Sequence, residues 1–355
     1  MRVEHLEPGR PAPAGLVGAV LARDISVAAQ RWAKGRRLSA EDLAALAVAP
    51  AAAPGGRPLT VLVPEAGDVH EDEAGARLAG IAVAGDAALA GLAMRGPSQS
   101  RVDLVASVAG VVVVRLAALD RLNRIDPLEL FTVASGRIVA PGDLVASAKV
   151  APHLVPSTVL AAAEAVTRRG GPIVRVRPFR PTRVAVVVKE SVSAADRARF
   201  EASMLARVAG LGATLAGIVH VPDDPDAVAA ALGAAVRGRG AARIVLTAGG
   251  ASTDPGDAFF VAIERLGGRV VRRGVPAHPG SMLWLARLGG AAVVGLPSCG
   301  AYSRATAADL LLPLLVAGYP ASRATVARLA HGGILDRSQR FRFPAYAREL
   351  DAPEG

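Results

Sequence analysis

Cys299 is the only cysteine among 355 residues. A lone thiol excludes an intrachain disulfide framework and any zinc site built from several cysteines. Aromatic residues make up only 3% of the chain, so platforms for stacking nucleic-acid bases are nearly missing. Lysine is scarce as well: Lys34, Lys149 and Lys189 are the whole set. Arginine therefore supplies almost all of the positive charge behind a formal net charge of +10. A basic balance invites a nucleic-acid partner. The arginines are dispersed, however, and small anionic ligands suit the charge equally well, so nucleic acid is set aside. Long apolar runs are also missing. The longest, Val105–Val114 and Leu310–Gly318, fall short of the ~20 residues that span a bilayer. Met1–Arg10 lacks a basic start followed by an apolar stretch, so no signal peptide is expected and the reading is a cytoplasmic protein.

What is present is a large small-residue core. Hydrophobic residues account for 52% and charged residues for 20%, which excludes a disordered chain. The length fits two to three domains. Four regions differ in texture: a mixed, mostly helical stretch over 1–84, a strand-rich stretch over 85–179, an α/β stretch over 180–320 and a tail over 321–355. Helices are expected at Asp24–Gly35, at Ser39–Ala47 with a Ser39/Asp42 capping box, and at Asp68–Ala84 with an acidic first turn. Ala51–Pro58 reads as a linker. Between 85 and 179, strands are expected at Val102–Ala106, Val111–Val114, Leu128–Val133 and Leu144–Val150, with helices at Leu116–Asn123 and Ser157–Thr167.

From Arg183 onward strands and helices alternate. The strands are Arg183–Val188, Ala213–Val221, Ala242–Leu246, Val270–Arg273 and Ala291–Val294. The helices are Ser193–Ala209, Asp226–Val236, Asp257–Leu266 and Ala305–Val316. That order predicts an open, largely parallel α/β sheet. Ligands of such sheets sit at the carboxyl ends of the strands.

Two strand-to-helix loops carry chemistry. Thr247–Asp257 contains Gly249 and Gly250, which let backbone approach a ligand closely. Ser252 and Thr253 add hydroxyls, and Asp254 and Asp257 place two carboxylates at a helix start. Two carboxylates with an anion suit a divalent cation bridging to phosphate. They equally suit a plain helix start, with Asp254 as its N-cap behind a Gly-Gly turn. Gly295–Arg304 is built of small residues, hydroxyls and an arginine at a helix start, an arrangement open to an anion or to plain connection. The six histidines are scattered singly, and none lies near Cys299 in sequence. Between the two loops, Gly274–Met282 returns the chain through Pro279-Gly280.

At these segments the sequence resembles the molybdopterin-binding domain family, most nearly the domain of molybdopterin molybdotransferases (molybdenum insertases). Gly249-Gly250-Ala251-Ser252 followed by Asp254-Pro255-Gly256-Asp257 resembles that family's Gly-Gly-x-Ser-x-Gly-Asp loop. Ala277-His278-Pro279-Gly280-Ser281 stands where the family has Pro-Gly-Lys-Pro. Gly295-Leu296-Pro297-Ser298-Cys299-Gly300 stands where it has Gly-Leu-Pro-Gly-Asn-Pro, and is nearer to the Gly-x-Pro-Gly-Cys of a divergent branch. Lys34–Asp42, Asp68–Glu73 and Ala148–Val150 resemble other segments of these proteins.

The resemblance implies a three-layer fold for the C-terminal half with an α+β, strand-rich region before it. It also implies a ligand, molybdopterin or its adenylate, together with Mg2+. Asp254 and Asp257 would be the catalytic and metal-binding groups. Thr247, Gly249, Gly250, Ala251, Ser252, Gly280, Ser281, Gly295, Pro297, Ser298, Cys299, Gly300, Ser303 and Arg304 would line the ligand. In the insertases molybdate enters the dithiolene of adenylated molybdopterin and AMP leaves. A homodimer is suggested by the family alone. The family's lysine is replaced here by Ser281, with Lys149 or Arg304 as candidate substitutes. Three readings follow: an insertase-like transferase, a non-catalytic carrier of molybdopterin, and a related nucleotide-binding protein.

Overall fold

The computed structural model describes residues 1–49, 58–168, 170–189, 194–250, 253–297 and 305–350. The chain forms two compact units. One comprises Met1–Ser107, Val113–Ala134 and Pro141–Val176; the other comprises Val108–Val112, Ser135–Ala140 and Arg177–Gly355.

The second unit is built on a six-stranded sheet. Its strands are β1 (Arg183–Val188), β2 (Thr214–His220), β3 (Ile244–Ala248), β4 (Arg269–Arg273), β5 (Trp284–Leu288) and β6 (Ala291–Gly295), in the spatial order β2-β1-β3-β6-β5-β4. The first four of that order run parallel. β5 is antiparallel to both β6 and β4, which turns β4 back to the parallel direction. Four of the five residues after Arg183 in β1 are valine and all five are buried, as a strand covered on both faces requires.

Helices cover both faces. Val184, Val186 and Val188 of β1 join Ile244 and Leu246 of β3 against Phe200, Met204 and Val208 of α1 (Ala194–Ala209), in one core with α4 (Ala307–Val316). The alternate residues Ala185, Val187 and Val245 face Val228 and Leu232 of α2 (Pro225–Val236) and Phe259 and Ile263 of α3 (Ala258–Arg265). The period-2 alternation of side chains thus splits one valine run between two cores. This is the expected three-layer arrangement. The segment read as a tail enters it: Val326, Leu329, Phe343 and Tyr346 are buried in the α1/α4 core.

Arg207 and Asp309 form a fully buried ion pair between α1 and α4, with Nε 2.9 Å from Oδ1. Asp309 also accepts the Thr306 N–H at 2.9 Å, closing a capping box at the start of α4. Tyr346 lies in the same surroundings. Burial, and then the negative charge of Asp309, push its phenol well above the usual range.

The first unit is antiparallel in its sheets. Leu128–Thr132, Leu144–Val150, Arg101–Ala106 and Leu92–Ser98 form a four-stranded sheet in that order. The helix Glu71–Ala82 packs on it. Gly75 of this helix rests on the Ser100 carbonyl, where a Cβ would come within 1.8 Å.

Two expectations are corrected here. Asp24–Gly35 is a hairpin of Ile25–Val27 and Gln30–Trp32, not a helix. Ala28 and Ala29 both take positive φ to make its turn, and Asp24 ties its ends by accepting from Arg31 and the Lys34 N–H. Asp68–His70 is a strand paired with Leu154–Pro156, so the acidic helix begins only at Glu71. His70 is its N-cap: Nδ1 accepts from the Asp72 N–H at 3.2 Å, which leaves Nε2 to donate to the Gly35 carbonyl at 2.8 Å. The expected linker Ala51–Pro58 lies outside the described residues apart from Pro58. No helix among the described residues is long and apolar enough to cross a membrane.

Candidate functional site

The chain leaves β1 for β2 on one side of the sheet and later returns to β3 on the other. The carboxyl ends of β1 and β3 therefore flank the topological switch point, where open α/β sheets bind their ligands. Lys189 stands there as the residue after β1, its N–H bonded to the Ala248 carbonyl of β3 at 3.1 Å. Sequence reasoning noted this lysine only as one of three. Its signal was position: it directly follows the valine run, where the sheet opens.

The Lys189 side chain is buried and its ammonium lies 3.0 Å from Oδ2 of Asp257 and 2.7 Å from Oδ1 of Asp223. Burial works against the charge. The hydrogen bonds it donates to Asp223 and Asp257 outweigh this and hold the ammonium above its ordinary range. Its stabilising contribution is therefore complete below the usual lysine value of 10.5 and is lost as pH rises through the higher folded value.

Asp257 is the N-cap of α3, with Oδ1 accepting the Phe259 N–H at 2.9 Å. The carboxylate is buried between this N–H and Lys189. Asp254 differs. It is exposed and turns back on its own loop, accepting the Gly256 N–H at 2.8 Å. Among the described residues no group of three His, Cys, Asp or Glu side chains gathers to hold a metal.

The other expected residues fall around the same edge. Thr247 belongs to β3 rather than to the loop after it, and is opposite Gly295 of β6. Its hydroxyl is fully buried and has no hydrogen-bond partner among the described residues. Gly249 takes φ +90°, and Gly250 packs on Phe259 and Trp284. Gly295 must lack a side chain, because a Cβ would come 2.0 Å from the Trp284 indole. Pro297 is buried just beyond it, and the Leu296 N–H bonds to the Thr247 carbonyl. β4 runs parallel to β6, so the loop after it returns to this edge. There Gly280 sits against Thr306 and Ala307, and Pro279 accepts the Ala307 N–H at the start of α4. Ser281 is half-buried, its carbonyl accepting from Val275.

Ala251, Ser252, Ser298, Cys299, Gly300, Ser303 and Arg304 lie outside the described residues. Lys149 stands in the first unit, opposite Glu129 across two strands. The acidic helix start of that unit is engaged locally: Glu71 meets His153 Nδ1 at 2.9 Å, and Asp72 accepts the Ser100 N–H.

A comparison with curated proteins found no match. Among solved structures, the molybdopterin biosynthesis moea protein from Pyrococcus horikosii is 16% identical, over 63% of this chain and 68% of that one, with a TM-score of 0.27. Molybdenum cofactor biosynthesis protein B is 14% identical over 43% and 93%, with a TM-score of 0.26. A NadC deletion mutant is 13% identical over 46% and 70%, with a TM-score of 0.16. A family model described as "Probable molybdopterin binding domain" matches residues 186–317, from within β1 to just past α4. That span, which holds Lys189, Thr247, Asp257 and Gly295, is similar to the molybdopterin-binding domain family.

Proposed function

We propose that the second unit binds molybdopterin, or its adenylate, at the β1/β3 switch point and serves molybdenum cofactor biosynthesis in the cytoplasm. The observation that carries this reading is the buried Lys189–Asp257 pair together with the buried Thr247 hydroxyl of the neighbouring strand, which has no hydrogen-bond partner among the described residues, all within the span of the family match. The Lys189 ammonium is the charge for the ligand's phosphate and takes the part expected of the lysine replaced at Ser281. Asp257 positions that ammonium. Gly249 and Gly250 let backbone N–H groups approach, and the Thr247 hydroxyl offers a donor in a dry setting where each hydrogen bond counts more.

The finer reading is insertion of molybdate with release of AMP. Magnesium would supply positive charge between phosphate and oxyanion. Asp254 suits it, because magnesium is commonly held by one or two carboxylates together with ligand phosphates and water. Asp257 suits it less, since a cation there would face the Lys189 ammonium. That pairing favours a second reading, a carrier that holds molybdopterin without turning it over.

The test is titration of the purified protein with molybdopterin and with its adenylate, each with and without magnesium. Tighter, magnesium-dependent binding of the adenylate supports insertion, to be followed by adding molybdate and measuring AMP. Binding of molybdopterin alone, indifferent to magnesium, supports the carrier. Binding of neither refutes the pterin reading.

Thr247→Val refines the site. A buried hydroxyl without a partner costs about 1–3 kcal/mol, so the valine variant should melt higher, by about 1 kcal/mol of added stability. The same variant should bind molybdopterin several-fold more weakly. Unchanged affinity would remove Thr247 from the contact surface.

A further inference from the structure

The two carboxylates on Lys189 are not equivalent. Asp257 is buried and fixed by the Phe259 N–H at the start of α3. Asp223 lies in the short connection between β2 and α2, with its side chain 63% exposed. The next residue, Asp224, takes the capping role there by accepting the Ala227 N–H at 2.8 Å. Asp223 is thus not needed to start α2. What it does is supply a second oxygen, 2.7 Å from the ammonium, on the solvent side.

Charge decides what this arrangement permits. One ammonium and two carboxylates carry a net charge of minus one. A phosphate group cannot simply add to that trio, because it would meet Asp223 as a like charge at close range. It can exchange with Asp223. A lysine ammonium has three N–H donors and no geometric fork, so one carboxylate oxygen and one phosphate oxygen are interchangeable on it. With its carboxylate 63% exposed, Asp223 is held on the ammonium by about fivefold, the upper end for solvent-facing pairs. The buried half of the trio stays in place while the exposed half is displaced.

We propose that Asp223 is a placeholder: it occupies on Lys189 the position of an anionic group of the ligand and is displaced when that group binds. This rests on the reading that the ligand's anion reaches the β1/β3 switch point. It makes Asp223 a determinant of affinity for the phosphate end, set by competition rather than by contact with the ligand. The ligand class it selects is a phosphate monoester or pyrophosphate, whose greater charge outcompetes a carboxylate.

The chain's three lysines make the exchange observable. Lysine labelled with carbon-13 at Cε gives three signals, and Lys34→Arg and Lys149→Arg leave that of Lys189 by elimination. The probes are inorganic phosphate and pyrophosphate, titrated into wild-type protein and Asp223→Asn. The Lys189 signal should move in both, with its midpoint at about fivefold lower probe concentration in the variant, while Lys34 and Lys149 serve as references. Asp223→Ser repeats the test without the amide.

Equal midpoints in wild type and both variants would overturn the proposal and leave molybdopterin binding untouched. A Lys189 signal that ignores both probes in every protein would overturn it as well. If molybdopterin fails to bind but the variant midpoints fall as expected, the placeholder stands and the pterin reading is what fails.

Discussion

Asp309→Ala is expected to lower the stability of the protein by about 3–5 kcal/mol, the cost of leaving one member of a buried ion pair without the other. Domains of ordinary size have only about 5–15 kcal/mol to lose, so the urea midpoint should drop by about 1.5–2 M. Two interactions disappear together. The Arg207 guanidinium stays buried in the α1/α4 core without its carboxylate, and the Thr306 N–H loses its cap. Asp309→Asn separates them, because the amide oxygen still accepts the Thr306 N–H while the charge is gone. Its midpoint should fall nearly as far as that of the alanine variant, since a lost N-cap alone costs about 1 kcal/mol. Unchanged midpoints in both variants would show that α4 is held by its apolar contacts alone.

Much of both units was legible because their elements signal themselves locally. Arg183–Val188 is a run of β-branched residues ended by a charge, and the strand has those bounds. Leu116–Asn123, Leu144–Val150 and Ser157–Thr167 likewise keep the limits read from periodicity. The failures share a different cause. The Ile25–Val27/Gln30–Trp32 hairpin turns on two alanines at positive φ, a conformation that glycine or asparagine would have announced and alanine does not. Trp284–Leu288 was not foreseen as a strand because its apolar residues are nearly continuous and fit a buried helix as well as a strand. Its antiparallel pairing with β6 is a tertiary fact.

The site divides in the same way. The Gly249-Gly250 turn and Gly295 belong to short segments and could be read in place, but the helix cap was misplaced: the segment offers Asp254 for it, and Asp257, three residues on, takes it. The partnership of Lys189 with Asp257 could not be read in place. The two residues come from different strand ends and meet only because β1 and β3 are neighbours in the sheet. Residue type offered no help either. A lysine after a strand is ordinarily solvated, and only burial shows that this one is held by two carboxylates.

Lys189→Met should therefore have two effects that can be pulled apart. The methionine keeps most of the apolar stem that reaches toward the Phe259 ring, 5.7 Å from the ammonium, and removes the charge. Affinity for molybdopterin should fall about 10- to 100-fold, since a hydrogen bond to a charged group is worth about 1.5–3 kcal/mol. Stability should fall by about 3 kcal/mol, because Asp257 stays buried without its counter-charge. A purely structural lysine would show the second effect and owe the first to it. The double variant Lys189→Met with Asp257→Asn decides between them. Asparagine still caps α3, and with both charges gone the buried pair no longer needs balancing, so chemical denaturation should return close to wild type. Ligand affinity should stay low, because no ammonium remains to meet the phosphate. If affinity recovers along with stability, Lys189 is a scaffold for α3 and the phosphate end of the ligand is held elsewhere.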